Sequence, residues 1–251
     1  MTSISALDVA TRETLTYLRR VLPPPPRRVL EVGPGRADLA ARLQALGYAV
    51  TAVDPDPAAV ELARQAGVAA VQADFLALGE GGWDVVLFTR SLHHLAGLSG
   101  AVEHAHRLLA PDGILVADEF ARERANRATA AFFYGLRALL ATAGVLRRDD
   151  ADVEQDEAAA DPLERWRAQH AGRPGHPLHE SDAMLAALRA CFPAVEVESC
   201  AYLYRALGEQ LVATEHGFQL THRLLDLEQQ LIQAGALTPI GLRFRARRGT
   251  G

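Results

Sequence analysis

The chain contains no lysine; all 26 of its strongly basic side chains are arginine. A Schiff-base lysine and a phosphate-loop lysine are therefore excluded, together with the chemistries that need them. Cysteine is scarce: Cys191 and Cys200 are the two present, and their spacing is not that of a metal or redox pair. Both read as inert thiols. No apolar run reaches the length of a membrane span. Met1 to Leu22 lacks the apolar segment and cleavage pattern of a secretion signal, so a cytoplasmic location is expected. A basic excess is absent as well. The formal net charge is −5 over 251 residues, which argues against a dominant nucleic-acid surface. The expected partner is a small-molecule substrate, with no nucleic acid and no membrane; the oligomeric state is not legible.

What is present is a strict alternation of strand and helix patterns between Arg28 and Phe120. Strands are expected over Arg28–Gly33, Ala49–Asp54, Val68–Gln72, Trp83–Thr89 and Ile114–Glu119. The fourth is almost continuously apolar, as a strand covered on both faces should be. Helices are expected over Arg36–Leu46, Pro57–Ala66 and Leu98–Leu109, the first two closed by Gly47 and Gly67. This order predicts an α/β fold with a parallel sheet between helical layers. An amphipathic helix (Ser5–Leu22) and a Pro23–Pro26 spacer precede it, so residues 1–26 are read as an N-terminal element and 27–120 as the core. Residues 121–180 break the rhythm and read as a helical insertion, strongest over Ala128–Leu140. Residues 181–251 complete the sheet: Ser181 caps a helix through Cys191, a strand covers Val195–Tyr204, one long helix covers Glu209–Ala234, and a last strand covers Ile240–Arg247.

The first strand ends in Glu31-Val32-Gly33-Pro34-Gly35. Glycine lets backbone approach a ligand closely, and a strand feeding a helix through such a turn is a nucleotide-cofactor site in outline. The pyrophosphate version of this turn needs a third glycine for tight helix packing, and Asp38 stands there instead. Glu31 suits a cofactor carrying a positive amino group and would repel an anion. Asp54, followed by Pro55, ends the second strand about twenty residues on, where a carboxylate can accept from a ribose diol. Asp74 follows the third strand and can accept from an exocyclic amine, with Phe75 beside it to wall an aromatic ring.

Taken in order, these pieces resemble the class I S-adenosylmethionine-dependent methyltransferases, specifically the small-molecule type. Val29–Asp38, Val50–Asp56, Gln72–Leu76, Asp84–Leu95 and His106–Val116 are similar to successive motifs of that family, over about Arg28 to Phe120. The resemblance implies a Rossmann-like, doubly wound, mainly parallel seven-stranded sheet with an antiparallel last strand and the helical insertion after strand five. It implies S-adenosyl-L-methionine as cofactor and S-adenosyl-L-homocysteine as product. It also implies roles: Gly33 and Gly35 at the methionine part, Glu31 on its amino group through water, and Asp54 on the ribose. Asp74 and the Phe75 backbone would meet the adenine, and the Thr89 and Arg90 backbone the methionine end. Ala37 stands where many members carry another glycine, and Arg36 is bulky.

The implied reaction is in-line attack on the sulfonium methyl, for which the protein mainly supplies proximity. A hydroxyl acceptor needs a base; His94, beside His93 after the fourth strand, is the candidate, and Glu119 after the fifth is a second carboxylate at that edge. Asp118 and Glu119 point to opposite faces of a strand, so no metal is expected. In the insertion, Phe133, Tyr134, Trp166 and His176 are candidates for an acceptor pocket, with Phe132 and His179 near them and Arg122, Arg124 and Arg127 as readers of an anion. Thr89-Arg90-Ser91-Leu92 replaces the Asn- or Asp-Pro-Pro-aromatic signature of DNA amino-methylating members. The alternatives are a non-catalytic cofactor-binding module, a protein methyltransferase, and a nicotinamide-dependent oxidoreductase opposed by Asp38.

Overall fold

The computed structural model describes residues 6–147, 161–172 and 178–249, the side chains of residues 6–8 apart. The chain divides into two compact units. A sheet unit comprises Thr14–Phe120, Gly172–Glu198 and Leu242–Gly251; a helical unit comprises Met1–Glu13, Ala121–Ala171 and Ser199–Gly241.

The sheet has seven strands: β1 (Arg28–Val32), β2 (Ala49–Asp54), β3 (Ala69–Gln72), β4 (Trp83–Thr89), β5 (Leu109–Phe120), β6 (Ala194–Cys200) and β7 (Gly241–Arg247), in the order β3-β2-β1-β4-β5-β7-β6. The pairs among β1 to β5 are parallel, with Leu30 beside Thr51 on one side and Val86 on the other. β7 runs antiparallel to β5: the Arg248 N–H donates to the Gly113 carbonyl, while Arg243 lies beside Asp118. It is also antiparallel to β6, where Arg243 meets Glu198 and Arg245 meets Glu196. The expected Rossmann-like sheet is therefore present.

Burial follows from place in the sheet. Four of the five β1 residues and five of the seven β4 residues are buried, because helices cover both faces there. In β3, at the edge, Val71 is exposed. Helices α1 (Ala6–Val21), α2 (Asp38–Ala45), α3 (Pro57–Gln65) and α4 (Leu98–Leu108) accompany these strands. Tyr17 and Leu18 of α1 pack with Leu43 of α2 onto Val29, Val50, Leu87 and Val116. After β1 the chain builds outward through β2 and β3, then returns to place β4 on the other flank of β1. The carboxyl ends of β1 and β4 thus border the crevice where such sheets bind ligands.

Several expectations are corrected. β5 starts at Leu109, earlier than the expected Ile114, and carries an irregularity at Pro111-Asp112-Gly113: Trp83 pairs with Leu109 while Val85 pairs with Ile114, and Asp112 takes φ 62°. The helical unit contains α5 (Arg127–Thr142) and α6 (Pro162–Gln169). Asn126 caps α5 by accepting from the Thr129 N–H, and Asp161 caps α6 by accepting from Leu163 and Glu164. Of the acidic stretch beginning at Asp149, residues 149–160 lie outside the described residues. In α7 (Ser181–Cys191) the N-cap is Glu180, and Ser181 is the first helical residue. The strand expected through Tyr204 stops at Cys200, and α8 (Leu203–Gly208) begins there. The long helix is shorter than expected, α9 (Glu215–Gln233), with Thr214 accepting from the Gly217 N–H. The buried Glu228 of α9 causes the break before α8: its carboxylate accepts the N–H groups of Tyr202, Leu203 and Tyr204 at 2.7, 2.9 and 2.8 Å, holding the first turn of α8.

Candidate active site

A cleft of about 420 Å³ opens at the carboxyl edge of the sheet unit, lined by the ends of four consecutive strands. Its wall includes Gly33 and Gly35 after β1, Asp54 and Pro55 at the end of β2, Asp74 and Phe75 after β3, and Arg90, Ser91 and His94 after β4. The glycine turn is left-handed at Gly33 (φ 71°), Gly35 (φ 54°) and Ala37 (φ 59°). A Cβ at Gly33 would stand 2.8 Å from Ser91 Cβ, so the β1 and β4 loops pack backbone against side chain. A Cβ at Gly35 would meet none of the described residues within 4 Å, which leaves space above it for a ligand. Ala37 adopts the left-handed conformation despite its methyl group and is fully buried, so alanine fills the third position of the turn with some strain.

Glu31 lies behind this wall. It is 1% exposed; Oε1 accepts from Thr89 Oγ1 at 3.2 Å, and Oε2 is buried with no hydrogen-bond partner among the described residues. Burial pushes its carboxyl up to about 7 from an ordinary 4.5, and the Thr89 hydrogen bond and the Arg90 charge pull it part of the way back. A buried carboxylate with an unused oxygen beside a glycine turn fits a ligand that brings a cation.

The two other carboxylates shape their own loops. Asp54 Oδ1 accepts the Asp56 N–H at 2.9 Å, and Asp74 Oδ1 accepts the Leu76 N–H at 2.8 Å. Phe75 lines the cleft and is buried, its ring edge-on to Phe88 at 5.5 Å and to His104 at 5.0 Å.

A sequence model described as a methyltransferase domain matches residues 8–190. The chain belongs to the methyltransferase-domain family. Its fold is that of the S-adenosylmethionine-dependent methyltransferases. No curated protein matches it in sequence. Similar solved structures include the [4+2]-cyclase SpnF, 19% identical, with 96% of this chain and 82% of that one aligned at a TM-score of 0.58. An S-adenosylmethionine-dependent methyltransferase of Mesorhizobium loti is 20% identical over 93% and 96% of the two chains, at 0.56. Phosphoethanolamine N-methyltransferase 2 of Haemonchus contortus, bound to phosphomonomethylethanolamine and S-adenosylhomocysteine, is 16% identical over 96% of this chain and 53% of that one, at 0.58. These likenesses concern the fold.

In this methyltransferase the loop after β4 is tied down from beneath. Glu119, fully buried at the end of β5, accepts the Ser91 and Leu92 N–H groups on Oε1 at 3.1 and 2.8 Å, and its Oε2 meets His93 Nδ1. The Ser91 hydroxyl donates to the Val32 carbonyl at 2.5 Å, and the His179 N–H donates to the His93 carbonyl at 2.9 Å. His93 is buried; His94, its ring 4.0 Å away, is exposed on the cleft wall. Asp118 turns to the opposite face, accepting from Thr14 Oγ1 at 2.7 Å with Arg243 Nε 3.6 Å away. Among the described residues no cluster of three or more His, Cys, Asp or Glu is placed to hold a metal ion, and no helix is long and apolar enough to cross a membrane.

The aromatic candidates lie in the helical unit. Phe133 and Trp166 are each 1% exposed and meet edge-to-face at 5.3 Å; Tyr134 joins them, its hydroxyl donating to Gln169 at 2.8 Å. His170 stacks on Trp166, and Arg122 donates to the His170 carbonyl. These groups form that unit's interior. Arg127 pairs with Asp161, and His176 lies outside the described residues. Cleft residues absent from the sequence reading are Val32, Val53, Leu76, Ser91, Leu95 and Ala96. Each flanks a residue that was recognised, so extending every strand-end motif by one or two positions would have found them.

Proposed function

We propose that this methyltransferase transfers the methyl group of S-adenosylmethionine to a small organic acceptor. The observation that carries this reading is the convergence of the Gly33–Gly35 turn, Asp54, Asp74 and Arg90 on one cleft, with the buried Glu31 behind it, one of its oxygens without a partner among the described residues. When bound, the cofactor supplies an activated sulfonium methyl. Asp54 holds the ribose hydroxyls, Asp74 accepts from the adenine amine, and Leu76, 45% exposed on the cleft wall, offers the base an apolar surface. Glu31 holds the amino group through water. The protein's contribution to rate is then mostly orientation of the acceptor in line with the methyl.

His94 is the proposed base for an acceptor that must lose a proton, since it stands on the cleft wall and is exposed. Glu119 serves as a positioning residue for the segment that carries it, because its carboxylate is taken up by Ser91, Leu92 and His93. The net charge of −5 and the Thr89–Leu92 sequence support a small molecule over nucleic acid. The test is transfer of labelled methyl to a panel of small hydroxyl, amine and carbon acids, with DNA, RNA and protein as comparison. Transfer to a small acceptor, reduced by about 100-fold or more in His94→Ala with little change in S-adenosylhomocysteine affinity, supports the reading. Transfer to macromolecules alone overturns the substrate class, and full activity of His94→Ala removes the base.

A further inference from the structure

The short helical turn after β4 (Leu92–His94) leads into a stretch of cleft wall made by His94, Leu95 and Ala96. A single turn of this kind makes few bonds of its own: the His94 N–H donates to the Ser91 carbonyl at 3.1 Å and the Leu95 N–H to the Leu92 carbonyl at 3.2 Å. Its place therefore depends on partners from elsewhere in the chain. Glu119 supplies them on the incoming side, at the Ser91 and Leu92 N–H groups. On the outgoing side His179 supplies two. Its N–H donates to the His93 carbonyl and its ring Nε2 donates to the Leu95 carbonyl, each at 2.9 Å.

Those two carbonyls bracket His94. Bonds that hold the residues on either side of a side chain fix the direction in which it leaves the backbone. The His94 ring has a fixed neighbour as well: it lies 4.0 Å from the ring of His93, which Glu119 Oε2 holds. His179 has an anchor of its own. It stands two residues before α7, whose Ser181 and Met184 are buried. Just past the other end of α7, Phe192 meets His106 of α4 edge to face at 5.0 Å. All of these groups belong to the sheet unit. His179 is half-buried and does not line the cleft, so it acts on a ligand only through the wall that it holds.

We infer that His179 is a positioning residue for the reaction: through its bonds to the carbonyls on either side of His94 it aims that imidazole into the cleft, where the acceptor loses its proton. This rests on the reading of His94 as the base.

The experiment compares the full wild-type chain with His179→Leu, His179→Asn and His179→Gln. The glutamine amide carries its NH2 group where Nε2 stands and can donate to Leu95; the asparagine amide is one carbon shorter and cannot reach. Nuclear magnetic resonance of histidine-labelled protein, below the unfolding temperature of each variant, reads the nuclear Overhauser contact between the His93 and His94 rings. His94→Gln, which removes one of the rings, assigns it. The contact should be present in the wild type, lost in His179→Leu and His179→Asn, and restored in His179→Gln. A role in folding alone would lower the unfolding temperature and leave the contact in place. Transfer of labelled methyl to the small-acceptor panel should fall by about tenfold or more in His179→Leu and His179→Asn. It should return to within about threefold in His179→Gln, with S-adenosylhomocysteine affinity within about threefold of wild type throughout. His179→Asn serves if His179→Leu does not fold. Persistence of the ring contact in both of those variants overturns the inference. So does a His179→Gln variant no better than His179→Asn, or full turnover in a variant that has lost the contact. Full activity of His94→Ala, or no transfer by the wild type, overturns the reading of the base, and is told apart from failure of the His179 role because the ring contact is read without turnover.

Discussion

Glu119 Oε2 meets His93 Nδ1 in the interior, while Oε1 of the same carboxylate takes the N–H groups of Ser91 and Leu92. One buried side chain thus fixes the backbone that carries Arg90, Ser91 and His94 to the cleft. Glu119→Ala leaves two N–H groups and an imidazole without their acceptor, and should destabilise the chain by about 2–5 kcal/mol. Glu119→Gln keeps an acceptor oxygen and should lose less. Chemical denaturation measures both; a loss below about 1 kcal/mol for the alanine variant contradicts the anchoring role.

Glu31 sets a pH dependence of definite sign. Its folded pKa of about 7 exceeds the ordinary 4.5, so between these values the folded chain holds a proton that the unfolded chain has released. Its contribution to stability is fully present below about 4.5 and is lost as pH rises through about 7, on the order of 3 kcal/mol in all. Binding of a cationic amino group runs the other way, because it favours the ionised acid. S-adenosylhomocysteine affinity should rise by roughly tenfold from pH 6 to 8, with proton release near pH 6.5. Glu31→Gln should flatten the rise. A wild-type affinity that is flat across this range contradicts the Glu31 assignment.

Asp54→Ala should weaken S-adenosylhomocysteine binding by about 1–3 kcal/mol through loss of the ribose contact. Because Asp54 Oδ1 also accepts the Asp56 N–H, Asp54→Asn, which keeps an oxygen for that turn, separates the two effects. Unchanged affinity in both variants removes Asp54 from the site.

Gly33→Ala introduces a methyl group 2.8 Å from Ser91 Cβ at a φ of +71°. It should cost on the order of 1–3 kcal/mol of stability and displace the β4 loop. Gly35→Ala meets no atom of the described residues within 4 Å, so its cost should fall more heavily on cofactor affinity. The reverse pattern, read by thermal unfolding and by titration, contradicts the geometry of the turn.

The sheet unit was legible because its signals are local. β1 and β4 are apolar runs buried on both faces, each ends at a chemically distinctive residue, and their bounds fell within a residue or so of expectation. Glu31, Gly33, Gly35, Asp54 and Asp74 could be read for the same reason. The structure past Cys200 was not, because its cause is remote in sequence. Glu228 lies 24 to 26 residues from the three N–H groups it accepts, and nothing in Ala201-Tyr202-Leu203-Tyr204 announces a helix start. The Glu119–His93 pair was hidden in the same way: the sequence puts both residues at one sheet edge, but not the carboxylate beneath the loop. Phe75 was legible as a position, but the direction of its ring depends on the Phe88 and His104 contacts, which no local pattern encodes.

The central claim is that the Gly33–Gly35 turn, with Glu31 behind it and Asp38 in place of a third glycine, takes an adenosyl amino acid in preference to a pyrophosphate cofactor. Calorimetric titration of the purified chain with S-adenosylhomocysteine and with NAD tests it most directly. The account predicts saturable one-to-one binding of S-adenosylhomocysteine and no measurable binding of NAD. Binding of NAD without binding of S-adenosylhomocysteine would contradict it.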